Sequence, residues 1–464
     1  MAQTAVTRRT ALRVAAGAGA TLASGALPAW ARTFASAGTV LGPGSRPFPH
    51  LPEGTPSMPQ IEHIVVLMME NHSFDNILGM LPHRYRSRRG VDGLPVDRHG
   101  KVTAWNPAPD GTRVYGHRAA TPCQPGNVSQ AWNASHISFD NGKNDGFVRS
   151  TAKPDGTHHT DSMLYYDQGD LPVTYSLASH FPIGERYFCS CLAQTYPNRR
   201  FFFAGTASGT IATRTKEIGE FVPPNGTIFD RLTAHGITWT DYYQNLPSPA
   251  IVGGVFPADH PETRRKVTEF FADAAHGRLP EFSFVEPLFS YSDEENPEDM
   301  DFGEAFIHDV VSALIHSPNW KSTALFITYD EHGGYYDHVP PPRAIAPDST
   351  LPMTSPGDEP GGYDRYGFRV PLIVVSPWAR ANYASRIVQD HTSMTRFIER
   401  KWNIGALTYR DANAHDLTDY FDFRHRPAFL HPPALAAAPN YHRGLAKCKV
   451  AGLTPPVPPG LPVP

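Results

Sequence analysis

The chain has 464 residues, 40% hydrophobic and 11% aromatic, a globular composition long enough for one large α/β domain with insertions. Its 41 basic and 45 acidic residues give a net charge of -4, so no basic surface is expected and nucleic acid is excluded as a partner. With 46 prolines and 38 glycines the framework should be modest and its connections long.

Residues 1–31 read as an export signal. Thr7-Arg8-Arg9-Thr10-Ala11-Leu12-Arg13 resembles a twin-arginine motif, a weakly apolar Ala/Gly stretch follows, and Ala29-Trp30-Ala31 offers a cleavage site. The expectation is a protein exported by the twin-arginine machinery and secreted, or held in the periplasm or cell envelope. No later stretch reaches the ~20 apolar residues of a membrane helix. Residues 32–58 read as an extended lead-in, 59–430 as one catalytic domain and 431–464 as an Ala/Pro-rich extended tail.

The informative stretch begins at Ile61. An apolar run through Met69, rich in β-branched residues, stops abruptly at Glu70-Asn71-His72-Ser73. A short apolar run of this kind predicts a strand buried on both faces, as in a parallel sheet. Polar groups that follow directly sit at its carboxyl end, where open α/β sheets place ligands. A second strand, 323–329, ends the same way in Asp330-Glu331-His332-Gly333-Gly334 and follows a predicted helix over 303–317. If the two strands are parallel neighbours, Glu70, Asn71, Asp330 and Glu331 meet at one rim. Carboxylates brought together repel unless a cation sits among them, and an oxygen-rich set suits a hard divalent ion.

Between these strands lies a long irregular insertion, 80–160, with His136 after Trp132-Asn133-Ala134 and an acidic stretch, 140–147, that lacks the final glutamate of an EF-hand. Gln194-Thr195-Tyr196-Pro197-Asn198-Arg199 predicts a helix start, with Thr195 near backbone N–H groups suited to a phosphate. Further strands are expected at 236–243, 281–286 and 370–376, and a helix at 393–402. The cysteines Cys123, Cys189, Cys191 and Cys448 allow three pairings; Cys189 and Cys191 are too close for a relaxed bridge, so each is expected to pair elsewhere.

Taken together, Glu70-Asn71-His72-Ser73-Phe74-Asp75, Thr195-Tyr196-Pro197-Asn198-Arg199, Thr328-Tyr329-Asp330-Glu331-His332-Gly333-Gly334 and Tyr336-Asp337-His338-Val339-Pro340 resemble the bacterial phospholipase C and acid phosphatase family, which includes the plant non-specific phospholipases C. The similarity runs over about 60–425. It implies a mixed, largely parallel sheet sandwiched by helices, similar to alkaline phosphatase and the sulfatases. It also implies a divalent metal (calcium, magnesium, manganese and zinc all remain open) on Glu70, Asn71, Thr195, Asp330 and Glu331. Thr195 would be the nucleophile, His136 and His338 would move protons, and Asn71, Arg199 and His332 would hold the substrate. The implied reaction is hydrolysis of the glycerol-side phosphate ester of a phospholipid, with transient contact at a membrane surface. The alternatives are an acid phosphatase acting on small monoesters, and a catalytically impaired secreted binding protein. One departure stands out: the family's histidines before the Asp-Glu-His strand are replaced here by Asp293-Glu294-Glu295-Asn296-Pro297-Glu298-Asp299. The expectation is that a carboxylic acid in this segment protonates the leaving group, with Glu298 or Asp299 setting the alkaline limb of the rate.

Overall fold

A computed structural model describes residues 40–461 except 154, 215–221 and 253–262. The export-signal reading therefore lies outside the described residues. The first apolar run is strand β1, His63–Met69, buried from Ile64 onward. It is central because both of its faces carry apolar side chains, which only a sheet covered on both sides can bury. In chain order the main sheet continues with β2 (Ile183–Gly184), β3 (Trp239–Tyr243), β4 (Arg264–Lys266), β5 (Phe282–Val285), β6 (Thr323–Tyr329), β7 (Leu372–Val375) and β8 (Ala384–Ser385). Across the sheet the order is β8-β2-β7-β6-β1-β5-β3-β4.

β1 pairs parallel with β6, Met69 opposite Tyr329, and parallel with β5, Leu67 opposite Val285. β3 and β4 extend the parallel half, and β7 runs antiparallel against β6 and β2. The sheet is thus mixed and mostly parallel. Three strands that start from different parts of the chain end side by side, and each is followed at once by a carboxylate: Glu70, Glu286 and Asp330.

The helices that position the site are α1 (Phe74–Leu78), α2 (Trp132–Phe139), α3 (Pro172–His180), α4 (Thr195–Ala204), α5 (Met300–Ile315) and α6 (His391–Trp402). α4 is buried along its whole length and stops at Gly205, whose φ of 71° favours glycine. Its Phe202 and Phe203 rings pack on Phe284 of β5, at centroid separations of 5.8 and 5.3 Å, and lock the helix against the sheet. Aromatic side chains each remove a large apolar area from water. α5 matches its predicted span closely, with Asp299 capping it by accepting from Asp301 N–H.

Two expectations fail here. Residues 431–464, read as an extended tail, contain a further helix, α7 (Tyr441–Val450), with Leu445 and Cys448 buried. A Cys123–Cys448 disulfide ties it to the insertion. Cys189 and Cys191 do not pair elsewhere: both are free and buried, and burial pushes both thiols far above their ordinary pKa. Buried apolar surroundings make such thiols inert. No described helix is long and apolar enough to cross a membrane.

Candidate active site

The end of β1 turns through Asn71, whose backbone is left-handed (φ 71°). A non-glycine residue in that region stores local strain, a feature concentrated at functional sites. Its N–H donates to Asp330 Oδ1 at 3.2 Å, so the two strand ends are cross-linked at the rim. Gly333 closes the second turn at φ 66°, where an added Cβ would lie 1.9 Å from the Asn71 carbonyl oxygen. Only glycine lets the two turns approach this closely.

Thr195 occupies the first position of α4 and is 6% exposed; its hydroxyl donates to Asn71 Oδ1 at 3.4 Å. The helix start is not the phosphate cradle that the sequence suggested. Pro197 has no N–H, and the Tyr196 N–H donates to the Thr213 hydroxyl at 3.3 Å. Thr195 lines a cavity of about 310 Å³ together with the polar residues Glu70, Arg199 and Glu295 and the apolar side chains of Tyr196, Leu246 and Phe289.

Arg199, one helical turn after Thr195, is buried among three carboxylates. Its Nε donates to Asp330 Oδ2 at 3.0 Å and Nη2 to Glu70 Oε1 at 3.1 Å, while Nη1 reaches the Ser248 hydroxyl at 3.1 Å and lies 3.6 Å from Glu286 Oε2. Its surroundings raise its pKa further, burial notwithstanding, chiefly through Asp330 and Glu70. The guanidinium, expected on the substrate, is engaged with protein: it holds the strand-end carboxylates in place. Glu286 is the residue the sequence reading passed over. Its signal was the same as for Glu70 and Asp330, a carboxylate directly after a buried strand.

Burial and then the Asp330 charge push Glu70 and Glu331 well above the ordinary carboxylate range. Buried polar atoms here without a hydrogen-bond partner include Glu331 Oε1, Asn71 Nδ2 and His332 Nε2. The first two, one acceptor and one donor without protein partners, beside oxygen-only side chains, fit a hard cation and an oxyanion. The donor set of Glu70, Asn71, Thr195, Asp330 and Glu331 is therefore chemically suited to a divalent ion. Among the described residues, acidic, imidazole or thiol donors converge within 4.8 Å in threes at Cys123–Asp299–Cys448 and Asp75–Asp337–His338; Glu70, Asp330 and Glu331 do not form such a trio, and Arg199 bridges Glu70 and Asp330. The first is sulfur-bonded. In the second, Arg369 donates to Asp337 at 2.8 Å and Asp75 at 3.0 Å, as Arg199 does to Asp330 and Glu70, and its imidazole member His338 is taken up by Asp75 and Asp92.

A family model described as the Phosphoesterase family matches residues 61–405. This chain belongs to the Phosphoesterase family. As a phosphoesterase it is a phosphoric ester hydrolase, and the strand-end site lies inside the matched region. It is 31% identical over 390 residues to non-specific phospholipase C1 of Arabidopsis thaliana, covering 79% of this chain and 72% of that one. It is 29% identical over 433 residues to phospholipase C B of Mycobacterium tuberculosis, 82% of each chain, and 28% identical to the non-hemolytic phospholipase C of Pseudomonas aeruginosa, of which it spans 63%. Among solved structures, an alkaline phosphatase superfamily protein from Vibrio parahaemolyticus aligns over 78% of this chain and 71% of its own at 10% identity and a TM-score of 0.38, a likeness too distant to build on.

Three histidines expected in the phosphoesterase site are placed outside the cavity wall. His136 bonds the Trp132 carbonyl at 2.8 Å, packs on the Trp132 ring at 4.1 Å and lines a different cavity with Arg343 and Glu359. His332 is buried between Phe147 and Phe368, with Nδ1 3.2 Å from Glu331, and burial lowers its pKa to about 3. Neutral and wedged between rings, it orients Glu331. His338 lies between Asp75 at 2.7 Å and Asp92 at 3.0 Å. His332 and His338 are fixed by contacts distant in sequence, which no local pattern reveals, whereas His136 is held by Trp132 one helical turn before it.

The His338 network yields a stability prediction. Asp75, in first place among the charges, raises His338 to about 9, and His338 in turn holds Asp75 below its ordinary value. A raised histidine stabilises fully below its unfolded value of about 6.5, and that stabilisation disappears as pH rises through about 9. His338→Gln should therefore cost on the order of 2 kcal/mol at pH 6, with the gap to the native protein closing by pH 10. Urea midpoints at the two pH values measure it; an equal gap at both would mean that packing, not charge, is lost.

Proposed function

We propose that this phosphoesterase is an exported phospholipase C-type enzyme that cleaves the glycerol-side P–O bond through a phosphothreonine. The observation that carries the reading is Thr195: a hydroxyl at the floor of a half-apolar cavity, 3.4 Å from Asn71, beside the partnerless Asn71 Nδ2 and Glu331 Oε1. The apolar wall of Tyr196, Leu246 and Phe289 suits the glycerol side of a diester. A divalent ion on Glu70, Asn71, Thr195, Asp330 and Glu331 would supply the charge that lowers the threonine pKa and offsets charge on the phosphate oxygens. Thr195 Oγ1, its proton given up to solvent, attacks phosphorus as the bond to the glycerol oxygen breaks, while Asn71 Nδ2 donates to a phosphate oxygen. Arg199 keeps Glu70 and Asp330 in register, and water then attacks the phosphothreonine to release the phosphorylated head group.

The leaving alkoxide needs a proton, and Glu295 is the acid on the cavity wall. Burial, Asp293 and Asp330 raise it to about 7, and Gln130 holds its Oε1 at 3.2 Å. An acid with a pKa near the operating pH is the efficient donor. This replaces the expectation for Glu298 and Asp299. Glu298 accepts from the Asp293 and Glu294 N–H groups and is pushed to about 12, and Asp299 caps α5. A donor works only while protonated, so the rate should fall as pH rises through about 7, and at lower pH with a cation beside Asp330. Glu295→Gln should lower the rate about 10²–10⁴-fold and erase that limb. A pH–rate profile with the limb intact in the variant would remove Glu295 from the role.

The Thr7-Arg8-Arg9 stretch of residues 1–31 supports twin-arginine export, and the Cys123–Cys448 bridge supports an oxidising destination. Paired assays decide the substrate class. Phosphatidylcholine should be turned over in preference to a chromogenic phosphate monoester, and the reverse preference would make the enzyme an acid phosphatase.

A further inference from the structure

Residues 349–357, Ser-Thr-Leu-Pro-Met-Thr-Ser-Pro-Gly, carry no charged side chain, and Leu351 and Met353 on this stretch are 79% and 61% exposed. Large apolar side chains displayed together on one loop mark an interaction surface more often than a single exposed leucine does. The loop is anchored at both ends to segments that wall the active-site cavity. On one side the Met353 N–H donates to the Gly209 carbonyl at 2.8 Å, and Thr213, a cavity residue, is four residues further along, within about 14 Å even if that chain were extended. On the other, Trp132 Nε1 donates to the Glu359 carbonyl at 2.8 Å and Asn133 Nδ2 to Asp358 at 3.1 Å, next to the cavity residue Gln130.

Its charge selects the partner. The tip is neutral, and its immediate flanks are acidic, Asp348 on one side and Asp358 and Glu359 on the other. The nine residues of the tip thus carry no basic side chain of the kind that recognises anionic lipid. We infer that Leu351 and Met353 are the apolar tip by which the protein seats on a zwitterionic phospholipid bilayer, with the cavity brought beside the headgroups. The inference rests on the phospholipase reading above, which requires a substrate embedded in a membrane.

The test is sedimentation of the full chain with phosphatidylcholine vesicles, alongside turnover of a short-chain, monomeric phosphatidylcholine. Leu351→Ser combined with Met353→Ser should weaken vesicle partitioning about tenfold and slow hydrolysis of vesicles, with monomer turnover and thermal midpoint unchanged. Leu351→Trp should show a blue-shifted emission on adding vesicles, independently of the double variant. Native-level partitioning by the double variant, or no emission shift at position 351, overturns the inference. Loop-dependent vesicle binding by a protein that hydrolyses no phospholipid would support the surface and sink the phospholipase reading instead.

Discussion

Thr195→Val is expected to lower turnover by about five to six orders of magnitude, the usual loss when a covalent nucleophile is removed. Valine keeps the β-branched shape at the first position of α4, so the helix and the packing of Phe202 and Phe203 on β5 should survive. What disappears is the hydroxyl that donates to Asn71 at 3.4 Å. Thr195→Ser keeps that group and loses one methyl, so it should retain measurable turnover, with freedom of the smaller side chain costing part of the rate. Acid quench during turnover, followed by peptide mapping, should find the phosphate on residue 195. Phosphate on any other side chain, or native turnover by the valine variant, would end the proposed mechanism.

Neutralising the strand-end carboxylates should have the next largest effect. Glu331→Gln is expected to reduce bound divalent metal, read by elemental analysis, and to lower the rate about a thousandfold, consistent with the several kcal/mol a bound cation contributes. Glu331 is the cleaner probe because the carboxylates paired with Arg199 are Glu70, Glu286 and Asp330, and Glu331 keeps one oxygen without a partner. Asp330→Asn should lose metal and rate as well, and stability with them. It removes one of three carboxylates around a buried guanidinium, and losing one hydrogen bond between charged groups costs about 1.5–3 kcal/mol while Glu70 and Glu286 stay paired with Arg199. Glu70→Gln should behave in the same way. Chelation of the native enzyme should reproduce the rate loss without the stability loss of Asp330→Asn. Full metal content together with native turnover in Glu331→Gln would show that this carboxylate is no ligand.

The parts of the fold that are local in origin were legible in the chain. A β-branched apolar run that stops at a carboxylate is a two-sided buried strand with a polar end, and both 61–69 and 323–329 form such strands, adjacent and parallel. Proline at the third position of the 195–204 segment marks the start of α4 for the same reason, because its missing N–H is harmless only in a first turn. Period, β-branching and proline act within a few residues, so they can be read without knowing the rest of the molecule.

Which polar side chains share a space is a different matter, and tertiary structure alone decided it. With 22 histidines in the chain, nothing local distinguishes one in a cavity from one wedged between Phe147 and Phe368 or held by Asp75 and Asp92. Arg199 sits 131 positions from Asp330 and 129 from Glu70, and its part in holding both emerges only when α4 packs on the strand ends. Glu295 is one of five acids in seven residues; the path of that segment puts it on the cavity wall while Glu298 is buried against backbone N–H groups. The Cys123–Cys448 bridge joins residues 325 apart and turns an Ala/Pro-rich end into a docked helix. Hydrogen bonds and charges act over a few ångströms of space, and sequence distance carries no record of which groups folding brings within that range.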